Sequence, residues 1–286
     1  MLFAIFIVVF LLLWGILTVA LPPLWGAIRS LANHAATTSM RFGLVQRFVK
    51  VTGPFRDYLP VAVILVVGAI LALMTGDSFL DLAELVHERS PALQAIDVLV
   101  HDWAVDQRNS GATSFFDAMS TVGGPMGLSV LLLPIGVALG WKRRFRWLVY
   151  LAVTAGGGAL LDAELKRFFA RARPEVAQQL MHASGYSFPS GHAMGTTVVF
   201  AALSYLAFRT LPQWWERAAA VSFAATMILS VALSRVYLGV HWISDVSAGI
   251  ACGLLWVAVT TAAYETLRRI RGLRALRMKR GLPTSV

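Results

Sequence analysis

Seven apolar runs, at residues 2–21, 59–75, 119–140, 147–161, 192–208, 218–233 and 246–263, alternate with short polar connections along the 286-residue chain. Crossing ~30 Å of hydrocarbon takes about 20 apolar residues in a helix, and only helices and closed barrels satisfy their backbone groups there. The runs are continuous rather than alternating, so they predict an all-α, polytopic membrane helical bundle of seven spans. The first run carries no charge over 20 residues and no basic segment precedes it, which favours a retained span over a cleaved signal peptide. Pro125, Pro134 and several glycines fall in the third run, where neighbouring helices re-satisfy the freed backbone groups.

The connections differ in charge, and the differences orient the spans. Residues 26–57 hold Arg29, Arg41, Arg47, Lys50 and Arg56 against one acid, interleaved with apolar residues as in an amphipathic helix lying on a cytoplasmic membrane surface. Residues 77–108 have the opposite character, with Asp77, Asp81, Glu84, Glu88, Asp97, Asp102 and Asp106 against Arg89 and Arg108. The spacing of Phe79, Leu82, Ala83 and Val86 there predicts short amphipathic helices on the outer interface. Of the 25 lysines and arginines, 18 fall on one side of the predicted membrane and 7 on the other. The amino terminus is therefore expected outside and the carboxyl terminus in the cytoplasm. Five of the seven outer cations are Lys166, Arg167, Arg171, Arg173 and Arg235, an outer basic cluster that breaks the rule and asks for a reason.

Composition sharpens this picture in two respects. With 57% hydrophobic and 14% charged residues, the chain is not an ordinary soluble domain. A net charge of +10 in so apolar a chain marks cytoplasmic loops and contact with membrane lipids rather than nucleic acid. The one cysteine, Cys252, lies in an apolar run and is expected to pack between helices.

The charge count brings three segments to the outer face. These are Lys166-x6-Arg173-Pro174, Pro189-Ser190-Gly191-His192, and Ser234-Arg235-x3-Gly239-x-His241-x3-Asp245. Taken alone, the third is equally a capped polar turn, with Ser244 or Asp245 closing the next helix. All three in order, each beside a span, resemble the type 2 phosphatidic acid phosphatase superfamily of membrane lipid phosphatases, which shares its site with vanadium haloperoxidases. The resemblance runs from about the second span to the seventh, and the three segments match without departure. It implies a six-span phosphatase core to which the first run is an addition. The expected organisation is an anchor and basic loop at 1–57, a phosphatase core at 58–267 and a basic cytoplasmic tail at 268–286.

The same residues make chemical sense individually. Lys166, Arg173 and Arg235 are cations suited to a phosphate, and the two guanidiniums are able to grip its oxygens in bidentate fashion. Ser190 and Gly191 fall at a helix start, where free amides favour an anion. His241, four residues before Asp245, is the expected nucleophile, with the carboxylate orienting it and stabilising a phosphohistidine. His192 is left to protonate the departing oxygen and then to activate water. The resemblance implies the same assignment, and also that no metal or other cofactor is needed. Asp162 and Glu164 are expected to be ion-pair partners at the helix end. Tyr237 and Trp242 are expected to pack, and His182 is the one other histidine near enough to meet a substrate.

The expected activity is hydrolysis of a lipid phosphate or pyrophosphate at the outer face. Undecaprenyl pyrophosphate leads, with phosphatidic acid, phosphatidylglycerol phosphate and lipid A phosphates as alternatives. A lipid phosphotransferase would use the same site. A non-catalytic lipid-phosphate binder would be expected to lack a histidine of the pair, and both are present.

Overall fold

A computed structural model of the chain describes residues 2–19, 23, 30, 59–175 and 178–279. Among the described residues there are nine helices and no strand: α1 (Leu2–Val19), α2 (Leu59–His87), α3 (Pro91–Asp106), α4 (Ser110–Gly123), α5 (Pro125–Trp141), α6 (Phe145–Phe169), α7 (Gly191–Thr210), α8 (Trp214–Tyr237) and α9 (Ile243–Lys279). Among the described residues, α6 to α9 are each long and apolar enough to cross a membrane, and α4 with α5 passes the same measure only as a pair, bent by 52°. Lipid-facing surface is legible in α5, where Met126, Val130, Leu133 and Val137 form one exposed apolar stripe at helical spacing. The basic connection expected at 26–57 lies outside the described residues, apart from Ser30.

Each expected run is helical over its described part, but three boundaries differ. The third span is not one rod: Pro125 lacks the amide a continuing helix needs and starts α5 afresh, with Gly124 as the extended residue between the two helices. The second span runs on past residue 75 to His87, so Phe79, Ala83 and Val86 do not lie on the interface as a separate helix. They are buried against Phe188, Met194, Ala248 and Cys252 in a core shared by α2, α7 and α9. No proline interrupts the chain between Thr75 and Arg89, whose left-handed backbone (φ 53°) ends the turn. Helix α9 likewise continues through most of the basic tail to Lys279.

The bundle is organised around α9, which packs along α2, α7 and α6, while α8 packs on α7 and α4. Helix α1 lies against α8, its carboxyl end beside the amino end of α8. There Trp14 Nε1 donates to the carbonyl of Trp215 (3.0 Å) and Trp214 Nε1 to that of Leu17 (3.1 Å).

Among the described glycines, the closest approach is at Gly123. A Cβ there would stand 2.2 Å from Val231 Cγ1 of α8 and 2.8 Å from Thr196 Oγ1 of α7. Gly123→Ala is expected to destabilise the fold by about 1–3 kcal/mol through overpacking. Val231→Ala in the same chain should recover part of that loss, read as thermal melting in detergent; equal melting of the single variant and wild type would refute the close contact.

Candidate active site

The polar end of the bundle is built where α8 gives way to α9. Arg235 occupies the last turn of α8, and its carbonyl accepts the amides of Val240 (3.2 Å) and His241 (3.3 Å), folding the connection tightly. His241 is thus held between helices, and Asp245 sits in the first turn of α9. His241 Nδ1 faces Asp245 Oδ2 at 3.4 Å, with both side chains buried. Asp245 Oδ2 also accepts the Trp242 amide at 2.9 Å. The carboxylate therefore closes the helix start and faces the imidazole at once, so the cap and the His241–Asp245 pairing expected of this stretch are both present.

A guanidinium only donates, so Arg173 Nη1, 3.0 Å from His241 Nε2, makes that nitrogen an acceptor and leaves the ring proton on Nδ1, toward Asp245. Burial pushes the imidazole down to about 4, against the opposing pull of Asp245, with Arg173 and Arg235 adding to the fall. His241 is neutral near pH 7, with its Nε2 lone pair on the side of the cations.

Arg173 also ties down the loop before α7. Its Nε donates to Gly185 O (3.0 Å), Nη1 to Val240 O (2.7 Å), and Nη2 to Ser184 O and Tyr186 O (both 3.1 Å). Four of its five N–H groups are spent on backbone carbonyls, so the expected bidentate grip is not available from Arg173 in this arrangement. Arg235 is the freer cation. It is buried, donates from Nη1 to Ser120 Oγ and Met181 Sδ, and leaves Nε without a partner. Lys166 Nζ donates to Asp162 Oδ1 (2.5 Å) and Pro189 O (2.6 Å), the i,i+4 ion pair expected from the spacing. Glu164 pairs with Arg167 instead.

Helix α7 starts at Gly191, directly after Ser190, whose buried hydroxyl has no partner and does not cap the helix. The first amides of such a helix lack intrahelical acceptors and point at whatever lies before them. Glycine at 191 lets these side chains come close, since a Cβ would lie 2.7 Å from Asp162 Oδ2 and 3.0 Å from Lys166 Nζ and would displace their ends. His192 follows, half-buried beside the Gly124 bend. The structure thus gathers Lys166, Arg173, Gly191, His192, Arg235 and His241 around one cleft of about 630 Å³, with His182 also on its wall. Beyond them the cleft runs between α5, α6 and α7 over Leu128, Leu132, Ala155, Val198 and Val199. Among the described residues, no cluster of three or more histidine, cysteine, aspartate or glutamate side chains has metal-holding geometry. Tyr237 and Trp242 pack as expected, the indole Nε1 donating to Ala172 O (3.2 Å).

Three residues behind His241 escaped the sequence reading. Asp97 of α3 is buried, accepting the Ser244 amide (3.0 Å), the Ser244 hydroxyl (2.7 Å) and Arg171 Nη2 (2.7 Å). Arg171 Nη1 donates to Asp245 Oδ1 (2.6 Å), and Ser187 Oγ donates to Asp245 Oδ2 (2.6 Å). The signal available was Arg171 itself, a cation at one of the unspecified positions of the first segment and in need of a counter-charge; nothing marked which of the seven acids at 77–108 supplies it. Asp97→Asn keeps the shape but drops the charge facing Arg171. It is expected to lower kcat on the order of tenfold, ~1.4 kcal/mol, with the inhibition constant for inorganic phosphate nearly unchanged. A parallel loss of phosphate binding would instead mean that the cradle had collapsed.

Residues 146–269 match the PAP2 superfamily. Phosphatidylglycerophosphatase B of Bacillus subtilis (strain 168) is 31% identical over 194 residues, spanning 68% of this chain and 94% of that protein. Decaprenylphosphoryl-5-phosphoribose phosphatase of Mycobacterium tuberculosis is 33% identical over 153 residues, spanning 51% of this chain and 76% of that protein. The crystal structure of a transmembrane PAP2 type phosphatidylglycerolphosphate phosphatase from Bacillus subtilis is similar at a TM-score of 0.62 and 29% identity, covering 68% of this chain and 96% of that one. With apolar helices that cross a membrane several times and relatives that are phosphatases over nearly their full length, the chain belongs to the PAP2 superfamily and is a multi-pass membrane phosphatase.

Proposed function

We propose that this phosphatase hydrolyses a phosphate monoester or pyrophosphate carried by a membrane lipid, through a phosphohistidine on His241, at the outer membrane face and without a metal. The observation that carries this is the shape of the cleft: Lys166, Arg173, Arg235 and the start of α7 cluster at one end, and an apolar floor leads away from them between helices. A charged head and a hydrocarbon tail are the two parts of one ligand that such a cleft suits.

His241 Nε2 attacks phosphorus, the bond from phosphorus to the lipid oxygen breaks, and that oxygen takes the proton of His192. Asp245 steadies the charge that forms on the imidazole. Water then attacks phosphorus, giving a proton to His192 as the bond from phosphorus to Nε2 breaks, and inorganic phosphate leaves with His241 neutral again. The N–H of Arg173 that faces Nε2 passes to a phosphate oxygen as the bond forms. Lys166 and Arg235 neutralise charge that a divalent ion would otherwise take. Residues 58–267 are the catalytic core in this scheme, with 1–57 as anchor and basic loop and 268–286 as cytoplasmic tail.

Two lipids lead as substrates. Phosphatidylglycerol phosphate is favoured by the name of the relative matched over 94% of its length. Undecaprenyl pyrophosphate is favoured by the outward site and by the polyprenyl chain in the mycobacterial relative's name. Phosphatidic acid and lipid A phosphates complete the set to be screened, and release of inorganic phosphate separates hydrolysis from transfer to a second hydroxyl.

With EDTA present, wild type should release phosphate from at least one of the four lipids, and His241→Ala and His192→Ala should lose about 10³-fold or more. Near wild-type turnover by His241→Ala would sink the phosphohistidine. In kcat/KM, activity should fall as pH drops through about 4, where His241 gains a proton and loses its lone pair. The alkaline limb belongs to the substrate complex, where the phosphate offsets the cations around His192: kcat should fall once His192 no longer carries the proton it donates, and a flat kcat profile from roughly pH 5 to 9, with chemistry limiting, counts against that role. A reporter fused after Arg280 should read as cytoplasmic, and an external signal would overturn the outward site.

A further inference from the structure

The end of the bundle remote from the catalytic cleft carries a second, smaller cavity. Arg146 stands near the start of α6, twenty residues before Lys166, and Arg271 stands twenty-six residues after Asp245 on α9. At 1.5 Å per residue, ~30–39 Å of helix separates these arginines from the catalytic residues, the full depth of a bilayer core. A cavity of about 320 Å³ opens there between α6 and α9, lined by Arg146, Arg268, Arg271, Phe145, Val149 and Leu267. The three apolar side chains leave more than half their surface uncovered, at 58%, 59% and 55%.

Charge at this end is unbalanced. Glu265 is the nearby acid, and it is already committed: it accepts Arg268 at 2.7 and 2.9 Å and the Tyr205 hydroxyl, with Arg209 at 3.5 Å and Arg269 at 3.9 Å. Arg146 and Arg271 have no carboxylate partner among the described residues. Two guanidiniums without a counter-ion therefore flank uncovered apolar side chains at the depth where hydrocarbon meets headgroups. A soluble anion would balance the charge and leave the apolar wall bare. A neutral lipid would cover the wall and leave the charge. An amphiphile with a negative head satisfies both.

We propose that this cavity binds one anionic phospholipid of the leaflet opposite the catalytic cleft, with its phosphate between Arg146 and Arg271 and an acyl chain along Phe145, Val149 and Leu267. The site lies outside the catalytic machinery and is independent of the phosphohistidine scheme. Phosphatidylglycerol is a suitable probe because its phosphate is a diester, which offers no terminal phosphate to be released.

The test is native mass spectrometry of the full chain in detergent, titrated with dioleoyl-phosphatidylglycerol or dioleoyl-phosphatidylcholine. Wild type should hold one phosphatidylglycerol about 30-fold more tightly than phosphatidylcholine, the preference expected of two arginines at a membrane surface. The double variant Arg146→Gln/Arg271→Gln should lose that preference while keeping wild-type phosphate release, which certifies its fold. Millimolar inorganic phosphate, which competes for the catalytic cradle, should not displace the lipid. Equal binding of the two lipids, undiminished preference in the double variant, or displacement by inorganic phosphate would each overturn the site. Should the double variant lose activity, Arg271→Gln alone, an exposed position late in α9, should lower the preference about fivefold; no change there overturns the site equally.

Discussion

A carboxylate with no exposed surface at the end of an apolar bundle persists as an anion only if donors surround it, and Asp245 is that group. Its donors come from separate parts of the chain: Arg171 after α6, Ser187 on the loop before α7, the Trp242 amide ahead of α9, and His241. Through Arg171 and Ser244 the same group is coupled to Asp97 on α3. Satisfying one buried charge therefore brings together the elements around the cleft, and with Arg173 it fixes which nitrogen of His241 carries the proton and which faces the cations. Folding and the chemistry of the site rest on the same contacts, so disturbance of either is felt by the other.

The cations facing the cleft are like charges at close quarters, and each is held by a different device. Lys166 has Asp162 one helical turn before it and the Pro189 carbonyl ahead. Arg173 is held mainly by backbone dipoles, and Arg235 by a hydroxyl and a thioether, which are weak acceptors for a buried guanidinium. The gradation matters: the least satisfied cation is the one with the most to gain when a phosphate oxygen arrives. Bending the third crossing at Gly124 serves the same end, because it lets α4 bring Ser120 to Arg235 while α5 turns away to wall the apolar part of the cleft.

Much of this was legible in the sequence because the bilayer imposes long uniform runs, and because cations and histidines beside such runs stand out. The three segments and the His241–Asp245 spacing were readable for that reason. Element ends were not: the extension of α2 through Asp77, Asp81 and Glu84 looks polar in one dimension and becomes a core face only when Phe79 and Val86 meet Phe188 of a distant loop. Asp97 was illegible for a similar reason, being one of several outer acids until tertiary contact with Arg171 singles it out. The four carbonyls that occupy Arg173 could not be foreseen either, since backbone acceptors carry no residue-type signature.

The anchoring of Arg173 also bears on how turnover ends. A cradle braced by Gly185, Ser184, Tyr186 and Val240 stands assembled before any ligand enters, so little ordering entropy is lost when a phosphate binds. In the proposed scheme the same readiness would make it receptive to orthophosphate once the lipid has left, because the polar end would meet like oxygens on substrate and product. In that scheme selectivity would thereby shift to the apolar end of the cleft, and the departure of inorganic phosphate into water would be the step on which the next cycle waits.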